Sequence, residues 1–430
     1  MRRLSALWSF CVFATLALHS PCAQAQMYQV IHDFSHGADG AHPQSGVTID
    51  GFGSLYVTAT GGGFNGTSCG SSGCGVVLKL IRQSPGWTAI PLYTFQGSGD
   101  GWLPDASVTV ASNGTLFSTT SAGGIGNNGY GYGTVFNLQP GARVCQNTSC
   151  SWTETVLHSF AAGADGWQPT LGNLVFDGAG NIYGTTMDGG SNGCYGGFGC
   201  GVVFKLAPGN GGWTETVMYS FAGGADGAYP QSGVALDSSG NIYGTTTAGG
   251  SGTCNSYVGG CGVVFKLSPS VNGWTETVLH SFTGGADGGI PEGGLILSNS
   301  GVLYGTTEAG GSGNGTAFAY SLAEQTLSTI YAFPGPGLAG PAAGLALDVA
   351  GNLYGTTLSG PPNSPPCAGS VFELSPSAGG WNYRLLYCFS GGVDGGSPYS
   401  PVSIGANHVL YGTTYSGGAY GDGVVWELMP

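Results

Sequence analysis

Residues 163–190 read GADGWQPTLGNLVFDGAGNIYGTTMDGG, and residues 200–221 continue as CGVVFKLAPGNGGWTETVMYSF. This stretch decides the fold because related versions of it recur along the whole chain. The aromatic residue of its Tyr-Gly-Thr-Thr core returns at spacings of 61, 66, 60, 61, 50 and 57 residues. The seven copies are centred on Tyr56, Phe117, Tyr183, Tyr243, Tyr304, Tyr354 and Tyr411. A period of this length indicates a repeat architecture rather than a series of unrelated domains.

Each repeat predicts four short β-strands. In the third copy these are residues 171–177, 182–186, 202–206 and 213–221, separated by segments rich in Gly, Pro or Asn. Alternation such as Thr-Glu-Thr-Val-Met-Tyr is typical of a strand with two unlike faces. Four strands per repeat at this period predict an all-β fold. We expect a seven-bladed β-propeller of four-stranded antiparallel blades, with residues 26–430 as a single domain.

The two ends of the chain complement each other. The last repeat stops after Val-Val-Trp-Glu-Leu at residues 424–428, which corresponds to the third strand of a repeat. The missing fourth strand has its match in Tyr-Gln-Val-Ile-His-Asp-Phe at residues 28–34. We expect this N-terminal strand to join the last blade and close the ring, which removes an exposed sheet edge. A β-solenoid would instead need dissimilar capping repeats, and the sequence contains none.

The first residues are typical of a secretory signal peptide. Arg2 and Arg3 precede an uncharged apolar run at residues 4–18, and Ala-Gln-Ala at residues 23–25 provides the small residues needed for cleavage. We therefore expect residues 1–25 to be removed and the mature protein to be secreted, extracellular or periplasmic, without membrane insertion. Six basic residues then face 22 acidic ones, a net charge of about −16 with neutral histidine. Such a charge repels phosphate backbones and argues against a nucleic-acid partner.

The repeat also resembles known families. Residues 341–357 read PAAGLALDVAGNLYGTT, and related segments recur over essentially the whole mature chain. This motif resembles the GloVer tandem repeat, which defines the choice-of-anchor proteins of bacterial surfaces. It is similar, more loosely, to NHL-type propeller repeats, which implies that the first strand of each blade is innermost. The GloVer resemblance implies an exported bacterial protein, often with a C-terminal sorting anchor, and no established activity. This chain departs from that pattern by ending at Pro430 without an anchor.

The cysteines predict disulfide bonds. Ten remain after signal removal, an even number that favours pairing in an exported protein. Four pairs are close neighbours in sequence, and the fifth spans a predicted hairpin of the sixth repeat. The predicted bonds are Cys69–Cys74, Cys145–Cys150, Cys194–Cys200, Cys254–Cys261 and Cys367–Cys388. Zinc binding is the alternative, but the pairs lack the Cys-x-x-Cys and histidine spacing of common zinc sites.

An aspartate followed by glycine occurs in the loops between repeats, and only the sixth repeat lacks it. These residues are Asp39, Asp100, Asp165, Asp226, Asp287 and Asp394. If the loops converge, the ring of carboxylates could hold calcium together with carbonyl oxygens. The simpler interpretation, which we favour, is that each aspartate hydrogen-bonds its own loop while the glycine adopts a positive φ. The sequence predicts no cofactor, with calcium as the open alternative.

No residue is predicted to be catalytic. The sequence contains no His-Glu-x-x-His motif or phosphate-binding loop followed by a helix. Gly-x-Ser-x-Gly occurs at residues 66–70 and 189–193, but in glycine-rich loops without the strand and helix that flank a nucleophile elbow. Histidine occupies a slot in the fourth strand that holds tyrosine in other repeats, which favours packing over catalysis. These histidines are His32, His158 and His280. Lys205 is expected to face Glu215 across a hairpin, and Lys266 to face Glu276, as surface pairs without a functional role.

The loops after the second strand vary most in length and carry disulfides and aromatic residues. In a propeller they emerge on the same face as the Asp-Gly loops, and variable loops on a rigid scaffold are where binding sites usually lie. The candidate binding residues are Trp102, Trp167, Tyr195, Phe198, Tyr229 and Tyr257, and Phe64, Tyr130 and Tyr132 lie in the same loops. Packing between blades is the alternative for each of them.

Three functional hypotheses follow. The leading one is non-catalytic recognition of an extracellular glycan or protein by the loop-rich face. The second is a calcium-dependent enzyme of the propeller lactonase or lyase type, which needs several acids and a histidine at the central axis. The third is a structural spacer or matrix component. The predicted fold is compatible with all three hypotheses, because propellers have many functions. The sequence does not indicate the oligomeric state.

Overall fold

The computed structural model describes residues 27–63, 69–97, 99–126, 130–141, 152–169, 171–190, 193–254, 259–271, 273–335, 340–360 and 367–430. They form seven four-stranded antiparallel sheets, and in six of them the four strands, a to d, follow one another in chain order. The predicted seven-bladed β-propeller is therefore confirmed. The predicted signal peptide lies outside the described residues.

The strands are short, as the repeat predicts. Blade 1 comprises Thr48–Ile49, Leu55–Ala59, Val76–Gln83 and Gly86–Thr94, and blade 2 comprises Thr109–Val110, Leu116–Thr120, Thr134–Pro140 and Trp152–Ser159. Blade 3 comprises Val175–Phe176, Ile182–Thr186, Val202–Gly209 and Gly212–Ser220, and blade 4 comprises Ala235–Leu236, Ile242–Thr246, Val263–Ser270 and Gly273–Ser281. Blade 5 comprises Ile296–Leu297, Val302–Thr307, Gly313–Ser321 and Thr326–Pro334, and blade 6 comprises Ala346–Leu347, Leu353–Thr357, Ser370–Ser377 and Gly380–Cys388. Blade 7 comprises Ser403–Ile404, Leu410–Thr414, Val424–Met429 and the N-terminal strand Met27–Asp33.

Helical structure is confined to single turns in the described part of the chain. These 3-10 turns are Gly70–Ser72, Gly163–Asp165, Tyr195–Gly197 and Ala406–His408. Among the residues that the structure describes, no helix has the length and apolar character needed to cross a membrane.

The ring closes as predicted. Met27–Asp33 pairs antiparallel with Val424–Met429, so that Met27 lies opposite Met429 and Asp33 lies opposite Val424. The first described strand therefore supplies the outermost strand of the blade that contains the last one. Each end of the chain satisfies the sheet edge that the other would leave open.

The Tyr-Gly-Thr-Thr signature lies on strand b, which in blade 3 is buried along its whole length. The Tyr183 hydroxyl donates a hydrogen bond of 3.1 Å to Asp177 in the turn between strands a and b. Glycine is required at position 184 because a Cβ atom there would lie 2.6 Å from the ring of Phe204 on strand c. The same close contact recurs between Gly244 and Phe265, Gly305 and Phe318, Gly355 and Phe372, and Gly412 and Trp426.

The two threonines of the signature bind the backbone on either side. The Thr185 hydroxyl donates to the carbonyl oxygen of Ser232 in blade 4 at 2.8 Å. The Thr186 hydroxyl donates to the carbonyl oxygen of Asp188, in the loop after strand b, also at 2.8 Å. Both bonds satisfy buried hydroxyl groups, and the first of them joins neighbouring blades. The repeat is recognisable in sequence because a buried contact restricts the residue type at each position of the signature.

Aromatic rings fill the space between blades. The phenylalanine that follows strand d packs edge-to-face on the aromatic residue of strand c in the next blade. The centroid distance is 5.3 Å for Phe160 and Phe204, and 5.1 Å for Phe221 and Phe265. Each blade therefore contributes half of a hydrophobic contact that only its neighbour completes.

Strand a is shorter than the predicted residues 171–177, because only Val175–Phe176 pair with strand b. The residues before them approach the central axis, where the blades converge. A Cβ atom on Gly172 would lie 2.7 Å from the backbone nitrogen of Gly233 in the next blade. Close approach of two backbones, rather than pairing within the blade, determines the path of this segment.

The predicted facing of Lys205 and Glu215 is wrong. The hairpin between strands c and d places Glu215 opposite Leu206, and Lys205 opposite Thr216. A shift of one residue moves a side chain to the other face of a sheet, so the lysine and glutamate lie on opposite faces of the blade. Lys266 and Glu276 differ from the prediction in the same way, since Glu276 lies opposite Leu267.

Four of the five predicted disulfides are formed: Cys69–Cys74, Cys194–Cys200, Cys254–Cys261 and Cys367–Cys388. The predicted Cys145–Cys150 bond lies outside the described residues. The first three bonds brace the b–c loops of blades 1, 3 and 4, and their second cysteines are fully buried. Disulfide formation removes these eight cysteines as zinc ligands.

Candidate functional site

The b–c loops and the loops that enter each blade lie together on one face, which we call the top face. Trp102, in the loop entering blade 2, forms an antiparallel bridge with Ala122, which follows strand b. Trp167 and Asp188 form the equivalent bridge in blade 3. The expected juxtaposition of the Asp-Gly loops with the variable loops is therefore confirmed.

Five aromatic residues on blades 2 and 3 form what we call the aromatic patch: Trp102, Tyr130, Tyr132, Trp167 and Phe198. Trp102 stacks on Tyr130 with ring centroids 5.9 Å apart, and its Nε1 donates to the Tyr130 carbonyl oxygen at 3.1 Å. Trp167 contacts Tyr132 of blade 2 and Phe198 of its own blade at centroid distances of 5.5 and 5.2 Å. The patch therefore crosses the junction between the two blades.

The patch is accessible to a ligand. Tyr130 is 63% exposed and Phe198 is 54% exposed, whereas Trp102 and Trp167 are half-buried beneath them. Both tryptophan rings are held by hydrogen bonds or ring contacts, so their orientation does not depend on a ligand. Rigid aromatic anchors of this kind lose little conformational entropy when they bind a partner.

A carboxyl group lies beside the patch. The backbone of Asp188 is paired to that of Trp167 through hydrogen bonds of 2.9 and 3.0 Å. Burial raises the pKa of Asp188 to about 6. Its position holds Gly61, Ala122, Ala248, Ala309 and Ser416 in other blades. Blade 3 therefore combines exposed rings with a carboxyl group that can donate or accept a hydrogen bond near neutral pH.

The other predicted aromatic candidates are Tyr229, Tyr195, Tyr257 and Phe64. Tyr229 is buried in a core cluster with Cys200 and Phe221. It is three residues after its aspartate, whereas Trp102 and Trp167 are two residues after theirs, and this shift turns the ring inward. Tyr195 lies in a short 3-10 turn of the same b–c loop as Phe198. Tyr257 and Phe64 lie outside the described residues.

The six Asp-Gly aspartates hold their own loops. In each, a carboxylate oxygen accepts a hydrogen bond from the backbone N–H four residues earlier, at 2.8 to 3.1 Å. In blades 1, 3 and 6 the same carboxylate also accepts one from Tyr93, Tyr219 or Tyr387. The following glycines have φ between 92° and 104°. These contacts support the turn interpretation, and the calcium hypothesis stays a prediction.

The strand-d histidines face these aspartates. The Nε2 atom of His280 lies 3.0 Å from Asp287, and His32 and His158 lie 3.3 and 3.5 Å from Asp39 and Asp165. Burial lowers the pKa of His32 and His158, and the neighbouring aspartates oppose this only in part. All three rings pack against a neighbouring phenylalanine on the outer strands.

Three glutamates lie between blades beside the same aspartates. They are Glu154, Glu215 and Glu276, and in each the Oε1 atom is buried without a hydrogen-bond partner among the described residues. Burial, and then the charges of Asp100, Asp165 and Asp226, raise the pKa of each glutamate to about 7. Their position follows from the hairpin register, which turns Glu215 away from Lys205.

A channel runs along the propeller axis between the first strands of the blades. Its upper part is a cavity of about 300 Å³ lined by small residues such as Ser45, Ser107 and Gly233. Glu292 lines it and shares a hydrogen bond with Glu308, the residue after strand b of blade 5. Burial, followed by the charge of Glu308, raises the pKa of Glu292 to about 7. No histidine lines this cavity in the described part of the chain.

Glu292, Glu308 and Asp105 are candidate functional residues that no sequence motif indicated. Asp105 is buried in blade 2, and burial raises its pKa to about 7. The available signal was positional, since Asp105 and Glu292 follow the proline of their repeats where Gln44 and Gln231 stand in others. These acids lie on blades 2 and 5, so the channel does not gather them into one cluster.

The fold and its repeated contacts define a tandem-repeat β-propeller that presents a loop-rich top face. The Gloeobacter/Verrucomicrobia repeat family matches residues 20–251, 130–364 and 310–430, and the chain belongs to this family. The resemblance to the GloVer repeat is thereby confirmed. No curated protein sequence matches the chain.

Solved structures share the fold at low sequence identity. The extracellular domain of BT4673 from B. thetaiotaomicron, assigned as a hybrid two-component system, is similar with a TM-score of 0.55 and 9% identity, covering 93% of this chain and 39% of that one. A second structure of that extracellular domain has a TM-score of 0.50 and 10% identity, covering 93% and 40%. The present chain thus spans about two fifths of their length. A gluconolactonase from Xanthomonas campestris has a TM-score of 0.39 and 14% identity, covering 74% and 82%, and this likeness does not bear on function.

Proposed function

We propose that this protein is an exported, non-catalytic recognition module whose aromatic patch binds a glycan outside the cell. The observation that carries the proposal is two exposed rings, each packed on a fixed tryptophan: Tyr130 packs on Trp102, and Phe198 packs on Trp167. Soluble proteins rarely expose grouped apolar rings unless they bind something. The patch occupies loops held by a rigid scaffold, where binding sites are concentrated.

A sugar suits this patch chemically. A pyranose ring has one face of C–H groups and a rim of hydroxyl groups. The C–H face packs on the electron-rich face of an aromatic ring, and the hydroxyl rim needs nearby hydrogen-bonding groups. Asp188 supplies such a group beside Trp167. An uncharged or weakly charged glycan is favoured because a net charge of −14 for the whole chain repels polyanions.

Export is supported by the disulfides. Bonds such as Cys194–Cys200 and Cys254–Cys261 persist in oxidising compartments and are rare in reducing ones. A cell-surface or secreted location also matches the proposed glycan ligand, since polysaccharides are abundant there. An extracellular protein is the other partner that the patch could take, because tyrosine and tryptophan are enriched at protein interfaces as well.

The proposal is tested with a panel of soluble polysaccharides and a thermal melt of the oxidised mature protein. A glycan at a hundred times its Kd stabilises the folded state by about 2.7 kcal/mol, which raises Tm measurably. We expect a polysaccharide that raises the Tm of the wild type to have no effect on W167A and to raise the Tm of W381A as well. Trp381 lies at a c–d hairpin on the opposite face. A panel without a shift, or a shift unchanged in W167A, would contradict the proposal.

A catalytic function is the second candidate, and the observation that favours it is Glu292, which lines the channel and is paired with Glu308. Two carboxyl groups that share a proton can act as acid and base near neutral pH. Hydrolysis or elimination of a panel compound by the wild type and not by E292Q would support it. Calcium dependence of that activity would identify the lactonase or lyase type of enzyme.

A further inference from the structure

Two histidines and an aspartate meet where the two ends of the chain join. His36 and His42 lie in the loop after the N-terminal strand, and Asp422 lies just before the last strand. The Oδ1 atom of Asp422 is 3.3 Å from Nδ1 of His36 and 3.6 Å from Nε2 of His42. One ligand atom from each residue lies within 4.8 Å of the other two, and the described residues contain no second group of this kind.

The second nitrogen of each histidine is held by the backbone. Nδ1 of His42 lies 3.1 Å from the carbonyl oxygen of Tyr415, and its ring stacks on Tyr415 at 4.7 Å. Nε2 of His36 lies 3.3 Å from the carbonyl oxygen of Ser71. Nδ1 of His36 lies within hydrogen-bond distance of Asp422 Oδ1, so this ring is oriented with one nitrogen toward the backbone and the other toward the carboxylate. This is how protein histidines are held ready for a metal ion.

The spacing of these atoms is compatible with a metal ion. Ligand atoms about 2.0–2.2 Å from a tetrahedral Zn²⁺ lie about 3.3–3.6 Å from one another. The two distances to Asp422 fall in that range. All three residues are half-buried, so an ion can reach them from solvent.

The other repeats show that this arrangement is particular to the seam. His36 has a φ of 61°, a left-handed conformation that glycine adopts in the equivalent slot of four other blades. Those residues are Gly97, Gly223, Gly284 and Gly391. A bulky residue in this strained conformation calls for a reason.

The slot of Asp422 is occupied by the second cysteine of the b–c disulfide in three other blades. Those residues are Cys74, Cys200 and Cys261. A Cβ atom on Gly223, in the slot of His36, would lie 2.5 Å from the sulfur of Cys194. In blade 7 the histidines and Asp422 therefore occupy the space that a disulfide fills elsewhere.

We propose that His36, His42 and Asp422 bind a divalent transition-metal ion of the Zn²⁺ class, which clasps the two ends of the chain and braces the ring closure. Two imidazole nitrogens and one carboxylate suit zinc rather than calcium, which prefers an all-oxygen set. Three protein ligands leave a fourth position for water or an exogenous ligand. The ligands are 380 and 386 residues apart, so the ion restrains the closure over almost the whole chain.

The test uses tag-free protein that is stripped with EDTA and desalted, then titrated calorimetrically with ZnCl₂, with CaCl₂ as the ion control. Three variants copy residues that other repeats carry in the same slots, so they are compatible with folding: H36G from Gly97, H42Q from Gln168 and D422N from Asn314. The control H158Y removes a histidine from an outer strand and copies Tyr219. Co²⁺ in place of Zn²⁺ reports tetrahedral ligation through its visible absorption.

We expect one Zn²⁺ per chain in the wild type and H158Y, at least tenfold weaker binding in each of the three variants, and no response to CaCl₂. Zn²⁺ should also slow amide hydrogen exchange in Met27–Asp33 in the wild type and not in D422N. Absence of saturable Zn²⁺ binding, or equal affinity in all variants, overturns the site. Binding without slower exchange in the N-terminal strand overturns the clasp.

Discussion

Tyr28, in the strand that closes the ring, stacks on Tyr387 of the neighbouring blade with ring centroids 3.9 Å apart. Its hydroxyl group donates a hydrogen bond of 2.5 Å to the carbonyl oxygen of Asp394 in the same junction. The closing strand is therefore attached to blade 6 by side chains as well as to blade 7 by backbone pairing. The junction between blades 6 and 7 depends on a residue from the other end of the chain.

Replacing Tyr28 by alanine should loosen the closure. We expect Y28A to lower the free energy of unfolding by about 2–3 kcal/mol, because it removes a stacked ring and a hydrogen bond. The control is Y383A, which removes the ring stacked on Tyr331 at 4.7 Å between blades 5 and 6. Urea denaturation should show comparable losses, but only Y28A should speed hydrogen exchange in Met27–Asp33. Equal exchange in the two variants would argue against a closure role for Tyr28.

The Asp-Gly loops should depend on hydrogen bonds and not on calcium. Asp226 accepts from the Ala222 N–H at 2.8 Å and from the Tyr219 hydroxyl at 3.1 Å. We expect D226A to lower the free energy of unfolding by about 1–2 kcal/mol, since it removes the acceptor of an exposed N–H and of a half-buried hydroxyl group. Thermal melts of metal-stripped protein with and without CaCl₂ provide the check. A rise of Tm with CaCl₂ that D226A abolishes would establish the calcium ring instead.

Stability should fall as the pH rises from about 4.5 to 7. The pKa of Glu154, Glu215 and Glu276 is about 7 in the folded protein, against an ordinary value of 4.5. The folded state therefore binds more protons than the unfolded state within this window. The contribution of the three glutamates to the free energy of unfolding is fully present below pH 4.5 and is lost as the pH passes 7.

The pH dependence is measured by urea denaturation between pH 5 and pH 8. In the triple variant E154Q/E215Q/E276Q the three glutamines stay uncharged at every pH. Its free energy of unfolding should therefore depend less on pH and should exceed that of the wild type above pH 7. The lowered pKa of His32 and His158 acts in the opposite direction within this window, but it is common to both proteins, so the difference between their profiles belongs to the glutamates. The lowered pKa of Asp237 acts only below its ordinary value of 3.8. An unchanged slope in the triple variant would show that these glutamates do not carry the effect.

The disulfides of the b–c loops should contribute modestly and locally. Cys194 and Cys200 are six residues apart, so closing this loop restrains the unfolded chain by about 2 kcal/mol. We expect C194A/C200A to lose about this amount in oxidising buffer. Reduction of both proteins with dithiothreitol should shrink the difference, because the wild type then loses the same bond. Equal stability in oxidising buffer would contradict the bracing role.

The repeat made much of the fold predictable. Strand b was predicted at residues 182–186 and is Ile182–Thr186 in the structure, because each of its positions has a buried contact that restricts the residue type. The ends of the chain were predictable for the same reason, since the closing strand carries the pattern of strand d. Strand a was overestimated, because its first residues follow the channel rather than a neighbouring strand, and periodicity does not report on that.

The candidate site was predictable only in part. Trp102, Trp167 and Phe198 were identified from their loops, and the patch contains them. Tyr229 was not distinguished from them, because a shift of one residue after Asp-Gly decides whether a ring points outward or into the core. His36 and Asp422 are 386 residues apart, and only the closure of the ring brings them together. Contacts of this kind do not show in local sequence patterns.

The measurement that tests the central claim most directly is a calorimetric titration of the protein. The ligand is an oligosaccharide fragment of the polysaccharide that raises Tm most. W102A and W167A each remove a fixed ring from the patch, and W381A removes a tryptophan from the opposite face. We predict that W102A and W167A each weaken binding at least tenfold, about 1.4 kcal/mol, and that W381A binds like the wild type. Equal affinity in all four proteins, or no oligosaccharide that binds the wild type, would contradict recognition of a glycan by the aromatic patch.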